Sequence, residues 1–526
     1  MTELEYWTQQ ITQGRIGRRD FMGRAAALGV GTALASTLVA QAGKADEPQK
    51  GGTLRLGMAG GSTTDSLDVT TYTDSVALQV GFSLMNSLIE NGADNKPVAK
   101  LAESWEAKPG AAEWVFNLRK GVTFHNGKTL DADDVVYSLN LHRGESKSGA
   151  AGPMKSITDI KKIDANQIQI TLSSGDADLP YVMSDYHLLI VPNGFKDWAK
   201  PIGTGAFMLE AWDPGVRAVV KHNPNFWMQG RGNLDAVETT VINDTNARMN
   251  ALVTGQVDVI HRVDKKTIGL LKKAPNLEIV QAPGGWHTIL SMFTDTPPFD
   301  NADVRLALKY GIDREKVLQA LFAGYGSVGN DHPIPRGDPF YNSELPQTKY
   351  DPDKAAFHMK KAAGTAPIVL SASDAAFGGA VDMATLFQAT AAKAGVNIVV
   401  KKEPADGFWN NVWLKAPFVT SYWAGRPAAT QMLGVAYKGG ADWNDTHWNR
   451  PEFDKLLADA RAELDESKRK AYIWEMQKEL HENGGALIPV FSDWVDAHSN
   501  KVGGHTPHNG FDMDNGLVAE KAWLKA

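Results

Sequence analysis

LAESWEAKPGAAEWVFNLRKGVTFHNGKTLDADDVVYSLN, residues 101–140, carries three readable local structures in one continuous run. Trp114, Phe116 and Leu118 alternate with Glu113, Val115 and Asn117, the period of a strand with one buried face. His125-Asn126-Gly127 then supplies the residue types that a chain reversal at positive φ needs. Asp131 stands at a helix N-cap position, with Asp134 three residues on and Val135, Val136 and Leu139 behind it. The stretch predicts strand, turn and capped helix in that order.

Working outward, the totals bound the rest. The chain has 526 residues, 43% of them hydrophobic, enough for two lobes with separate cores. Cysteine is absent, which excludes disulfides, thiolate metal sites, thiol nucleophiles and a lipid-modified cysteine anchor. A net charge of −7, with both signs interspersed, argues against a nucleic-acid or anionic-membrane surface. Small molecules or proteins are the expected partners.

The segment from Leu101 to Asn140 resembles, from its LAESWE opening through LRKGVTFHNGK to DADDVVYSL, the signature of extracytoplasmic solute-binding proteins of the peptide, nickel and opine class, family 5. The resemblance implies a two-lobed α/β periplasmic binding protein fold, class II of the cluster C type, with an extra subdomain in the first lobe. It also implies a non-catalytic carrier that serves the permease and ATPase subunits of an ATP-driven importer, working as a monomer without cofactor or metal. On this reading residues 43–296 form the first lobe, with an inserted subdomain near 83–200. Residues 297–490 form the second lobe, and 491–526 return to the first. Pro297-Pro298 suits the crossover between lobes.

Ahead of this lies an address. Gly17-Arg18-Arg19-Asp20-Phe21 precedes a weakly apolar run from Ala25 to Ala42, the pattern of a twin-arginine export signal with cleavage near Ala42, and therefore of a periplasmic product. At 18 residues, with Gly, Ser and Thr in it, the run is short and poorly apolar for a permanent span.

Local patterns predict an opening strand at Gly51–Gly57, a helix from Ser75 through Ile89, strand-like runs in 157–172 and 181–191, and a strand, helix, strand unit from Ile368 to Lys401. Helices are expected over Phe453–Leu464 and Ser467–Asn483, and a strand over Ala486–Phe491 leads back to the first lobe.

Candidate ligand contacts come from aromatic concentration. Five of fifteen tryptophans, Trp409, Trp413, Trp423, Trp443 and Trp448, fall within 40 positions where even scatter gives about one, in a stretch broken by Gly and Pro. Rings on loops furnish concave sites, although any one of them can equally fill the core. Trp409, Tyr422, Trp423, Trp443 and His447 from this stretch, with Trp286, are the expected contacts. Tyr72 joins them because Ser66-Leu67-Asp68 with Thr70-Thr71-Tyr72 resembles the family's first cleft loop.

The most informative charge is Arg426 in Tyr422-Trp423-Ala424-Gly425-Arg426. Where relatives grip a peptide amino terminus an aspartate follows the corresponding Trp-x-Gly, and this chain departs by placing arginine there. A guanidinium pairs with carboxylate or phosphate and not with ammonium, so the expected ligand is a small acid, peptide-like or opine-like. A salt bridge within the lobe is the bland alternative for Arg426.

Other motifs dissolve on inspection. Gly324-Tyr325-Gly326-Ser327-Val328-Gly329 matches G-x-G-x-x-G but follows a helical run and not a strand. His505 and His508 form only an i, i+3 pair in a Gly/Pro-rich loop. An exported hydrolase on the same scaffold, or a peptide-binding chaperone or receptor component, remain the alternatives to a transport carrier.

Overall fold

The computed structural model describes residues 48–362 and 366–525; the expected export signal lies outside them. The core of the first lobe is a seven-stranded sheet, ordered 277–282, 494–499, 259–260, 53–58, 236–241, 217–222 and 207–213. Thr53–Met58 runs parallel to both its neighbours, while the outer pairings are antiparallel. Leu54, Leu56 and Met58 face inward onto the helix Ser75–Leu84, whose ten residues are all buried and whose first turn is capped by Asp74. That helix ends five residues earlier than its sequence predicts. Gly203 and Gly205 cross its last turn so closely that a Cβ on Gly203 would lie 2.2 Å from the Leu84 carbonyl oxygen, and Gly205 N–H donates to that oxygen.

The opening stretch behaves as read. Glu113–Leu118 is a central strand of a four-stranded antiparallel sheet, with 102–107 on one side and 167–172 then 157–164 on the other, its buried face formed by Trp114, Phe116 and Leu118. Gly127 has φ +83° in the turn. Asp131 accepts from the N–H groups of Asp133 and Asp134 at 3.0 and 3.3 Å, and Asp134 answers by accepting from Asp131 N–H at 3.0 Å, a reciprocal capping box. Val135 and Leu139 of the resulting helix Ala132–Asn140 enter a separate core with Ile168 and Ile170, so this region is a subdomain with its own apolar interior. Tyr181 to Val191 is not a strand. Leu179–Val182 forms a short helix with Pro180 in its first turn, and only Leu189 makes an isolated bridge, to Ser87.

The second lobe carries the other seven-stranded sheet, ordered 326–328, 490–492, 287–292, 418–423, 368–372 and 398–402, with 486–487 paired to the third. Ile368–Ala372 and Ile398–Lys402 are parallel and linked by the helix Ala380–Ala391, the unit expected from the periodicity. The chain changes sheet between Ala282 and His287, ahead of Pro297-Pro298, and returns between Ser492 and Trp494. The crossover expected at the proline pair is therefore already inside the second lobe, because His287–Met292 is hydrogen-bonded to Phe418–Trp423.

A second junction joins subdomain and second lobe. Asp178, fully buried, accepts from the Arg469 guanidinium and the Thr430 hydroxyl, while Ala177 N–H donates to Arg461 O at 2.7 Å. Burying two charges is costly, and removing one partner strands the other. Arg469→Met is expected to lower stability by about 3–5 kcal/mol in urea unfolding, whereas the double variant Asp178→Asn/Arg469→Met recovers most of the loss. A double variant no more stable than the single one counts against the pair.

Within the second lobe, the fully buried Asp445 accepts from Trp413 Nε1 at 3.3 Å, and burial pushes its carboxyl up to about 7. A carboxyl whose folded pKa exceeds its unfolded value binds its proton more tightly when folded. Its contribution is therefore complete below about pH 4 and lost as pH rises through 7. Asp445→Asn is expected to gain stability relative to the parent as pH rises from 4 to 8, read by tryptophan-detected thermal unfolding. Parallel curves refute the assignment.

Candidate functional site

Between the two sheets, beside the crossing strands, lies a crevice of about 350 Å³. Arg262 and Lys265 line it from the first lobe, Trp286, Phe322 and Phe377 from the second, and Ser492 to Val495 form its end. Trp286 holds this position because it is the residue between the first crossing and the strand His287–Met292. Its indole stacks on Tyr422 at 5.5 Å between centroids, meets Phe377 edge-on at 5.7 Å and lies 6.2 Å from Phe322. Trp409 closes edge-on against Tyr422 at 5.8 Å. Tyr422 and Trp409 remain 36% and 38% exposed, large apolar surface that no part of the fold covers.

Arg426 stands on a loop brought beside Trp286 by a contact that only glycine permits. A Cβ on Gly285 would lie 2.9 Å from Gly425 Cα, so the loop before Trp286 and the loop before Arg426 touch backbone to backbone. Arg426 Nη1 donates to the carbonyls of Ala424 and Gly425 at 3.0 and 3.2 Å, and the guanidinium lies 6.0 Å from the Trp423 ring centroid. Among the described residues no carboxylate pairs with it. Burial lowers its pKa, with the Tyr186 phenol of the subdomain as the opposing influence. The bland alternative, a salt bridge inside the lobe, is absent from this arrangement.

The structure brings together Tyr422, Trp286 and Trp409, with Arg426 three residues beyond Trp423 on the adjoining loop. Trp443, 49% exposed, packs on Trp413 and Trp423 at 6.3 and 6.1 Å, one ring further back. Three expectations change. Trp423 is 4% exposed and belongs to the second-lobe core with Tyr437 and Trp448, so it backs the site. Tyr72 is 2% exposed. Its hydroxyl donates to Leu67 O at 3.1 Å inside the first-lobe core, where a Cβ on Gly81 would meet that oxygen at 2.6 Å. His447 stacks on Phe293 at 3.6 Å and pairs with Asp295 at 3.0 Å. Phe293 follows the Met292 end of the strand and Trp286 precedes its His287 end, roughly 20 Å apart at strand rise.

Sequence reasoning missed Lys265, Phe322 and Phe377. Phe322 ends the helix Arg314–Phe322 and reads as ordinary packing, and nothing in Asp264-Lys265-Lys266 distinguishes the inward lysine from its exposed neighbour. His505 and His508 turn to separate partners, Asp496 and Asn91 O. Among the described residues no group of three or more His, Cys, Asp or Glu could hold a metal ion, and no helix is long and apolar enough to cross a membrane.

Comparison with known proteins agrees with this architecture. Residues 96–445 match the model of the middle region of bacterial extracellular solute-binding proteins, family 5. The chain is 26% identical to a heme-binding protein A of Haemophilus influenzae, over 77% of this chain and 81% of that one. It is 25% identical to a glutathione-binding protein of Pectobacterium atrosepticum, over 85% and 90%. Among solved structures it resembles an A. tumefaciens periplasmic binding protein in complex with agropinic acid, at TM-score 0.72 and 25% identity, covering 90% of this chain and 99% of that one. A Haemophilus parasuis HbpA2 structure superposes at TM-score 0.81 with 21% identity, over 90% and 100%, a likeness of fold. With two lobes, a crevice between them and a family match over most of its length, the chain belongs to the bacterial extracellular solute-binding proteins of family 5, whose members are binding components of ATP-driven importers.

Proposed function

We propose that this chain captures a small acidic solute, peptide-like or opine-like, between its lobes and delivers it unaltered to a membrane permease with its ATPase. The observation that carries the acidic character is Arg426, a half-buried guanidinium on the loop beside the one that leads to Trp286, with no carboxylate partner among the described residues. Such a group gains most from a charged acceptor that enters without its hydration shell. Relatives named for glutathione and a neighbour holding agropinic acid fit a ligand of that kind.

The aromatic rim supplies apolar area with little loss of side-chain freedom, and closure of the lobes on the solute is a hinge equilibrium biased by contacts to both sides. The proposal makes the protein a monomeric carrier and not an enzyme. Export by the twin-arginine route from Gly17-Arg18-Arg19 places it in the periplasm.

Native mass spectrometry of protein purified without denaturation is expected to show a retained solute of small mass, identified after release. Titration of that solute into protein stripped by partial unfolding is expected to show Arg426→Ala weakening affinity roughly tenfold to a hundredfold, the loss of a charge-assisted bond. Equal affinity in the variant removes Arg426 from the site; a solute recovered chemically changed turns the reading toward a hydrolase.

A further inference from the structure

Two cations project into the crevice from the first-lobe wall, and they differ in how their charge is met. Arg262 is neutralised, by Asp74 at 2.7 Å and Asp512 at 3.2 Å. Among the described residues Lys265 has no ion pair. Its ammonium bonds the Ser492 hydroxyl and lies 5.5 Å from the centroid of Phe322 across the crevice. The two carboxylates that act on it at longer range are engaged elsewhere, Asp493 with Gln281 Nε2 at 2.5 Å and Asp264 with Lys266 N–H at 3.1 Å. Burial lowers the Lys265 pKa, as it does for an ammonium short of water and of counter-charge.

From Lys265 a continuous run of rings leads back to the rim: Phe322, then Trp286 at 6.2 Å, then Tyr422 at 5.5 Å. Tyr422 stands in the segment that carries Arg426, and the Gly285–Gly425 contact fixes that segment beside Trp286. A solute lying along these rings meets the Lys265 ammonium at one end and, at the other, Tyr422 of the segment that carries Arg426. We infer that Lys265 is a specificity-determining residue, and that the solute carries a second anionic group at the Lys265 end of an apolar or planar middle. The crevice thus selects a diacid over the corresponding monoacid. At about 350 Å³ it lies at the small end of ligand pockets, consistent with a compact molecule.

This inference rests on the crevice being the solute site, and its test separates the two. The solute retained through native purification is expected to carry two acidic groups; a retained solute with one acidic group, or none, overturns the inference while leaving the carrier reading intact. As a defined probe pair, N-acetyl-Phe-Glu and N-acetyl-Phe-Gln differ by a single carboxylate. Calorimetric titration of the parent protein is expected to favour the first by roughly tenfold to a hundredfold. Lys265→Met should abolish that preference by weakening the diacid while leaving the amide unchanged, and Lys265→Arg should keep it. Equal affinity of the parent for the two probes, binding of neither at millimolar concentration, or equal weakening of both by Lys265→Met overturns the assignment. The last result would make Lys265 only a packing contact between the lobes.

Discussion

The crossing of two strands at Gly284 is the constraint on which the rest of the molecule depends. A Cβ there would come within 2.3 Å of Ser492 O and 3.3 Å of the Trp494 ring, so the outgoing and returning segments pass at backbone contact. Ser492 N–H donates to Trp286 O at 2.9 Å across the same point. Everything that lines the crevice is positioned from here. Trp286 begins one wall, Asp493 and Trp494 close the end, and Trp494 Nε1 is tied to Asn509 O at 3.2 Å in the C-terminal return. Loss of this close approach would separate the rings from the cations they face, although both lobes kept their cores.

The lobes meet at a second point through a buried charge pair. Asp178 lies where subdomain and second lobe meet, and among the described residues its carboxylate accepts from Arg469 and Thr430 of the other lobe. Asp338 and Asp176 nearby are pushed up by burial to about 7 and about 6, so the junction already contains carboxyls that ionise reluctantly. An open arrangement rehydrates these groups, and a closed one exchanges water for fixed partners at nearly balanced free energy. Such a junction suits the proposed hinge, since a solute can contribute only its differential affinity for the closed form. The C-terminal return is anchored differently. Glu520 and Glu90 share Lys100 and Arg231 at 2.5–3.5 Å, a buried network that stays within the first lobe and has no reason to break on opening.

Local chemistry was legible in the sequence, and long-range orientation was not. The Asp131 capping box and the alternation of Trp114, Phe116 and Leu118 are each written within five consecutive residues, and both fold as read. The same holds for the parallel unit from Ile368 to Lys402, where strand, helix and Gly395 occur in order. The helix at Ser75 stops at Leu84 because residues more than a hundred positions later cross its end, which no local pattern records. Tyr72 and His447 fail for the same reason. His187 donates to Tyr72 O from 115 residues away, and Asp295 holds His447 across 152. The cluster of tryptophans was a true sign of an unusual surface, yet its residues divide into exposed Trp409 and Trp443 and buried Trp423 and Trp448 according to loop paths the sequence does not show.

Arg426 stood out in the sequence by its identity, and the structure shows it without a carboxylate partner among the described residues. Its guanidinium is held by its own loop. Bonds from Nη1 to the Ala424 and Gly425 carbonyls fix the plane of the group and leave the edge formed by Nε and Nη2 without a partner among the described residues. That edge is the one a carboxylate grips with two parallel bonds. A flexible lysine at this place would have to be ordered by the solute itself, at a cost of about 0.5–1.5 kcal/mol for a side chain with many rotamers. An arginine held by backbone carbonyls has already lost that freedom. On the proposed reading, a solute carboxylate meeting this edge would favour acidic over neutral molecules without having to arrange the side chain first.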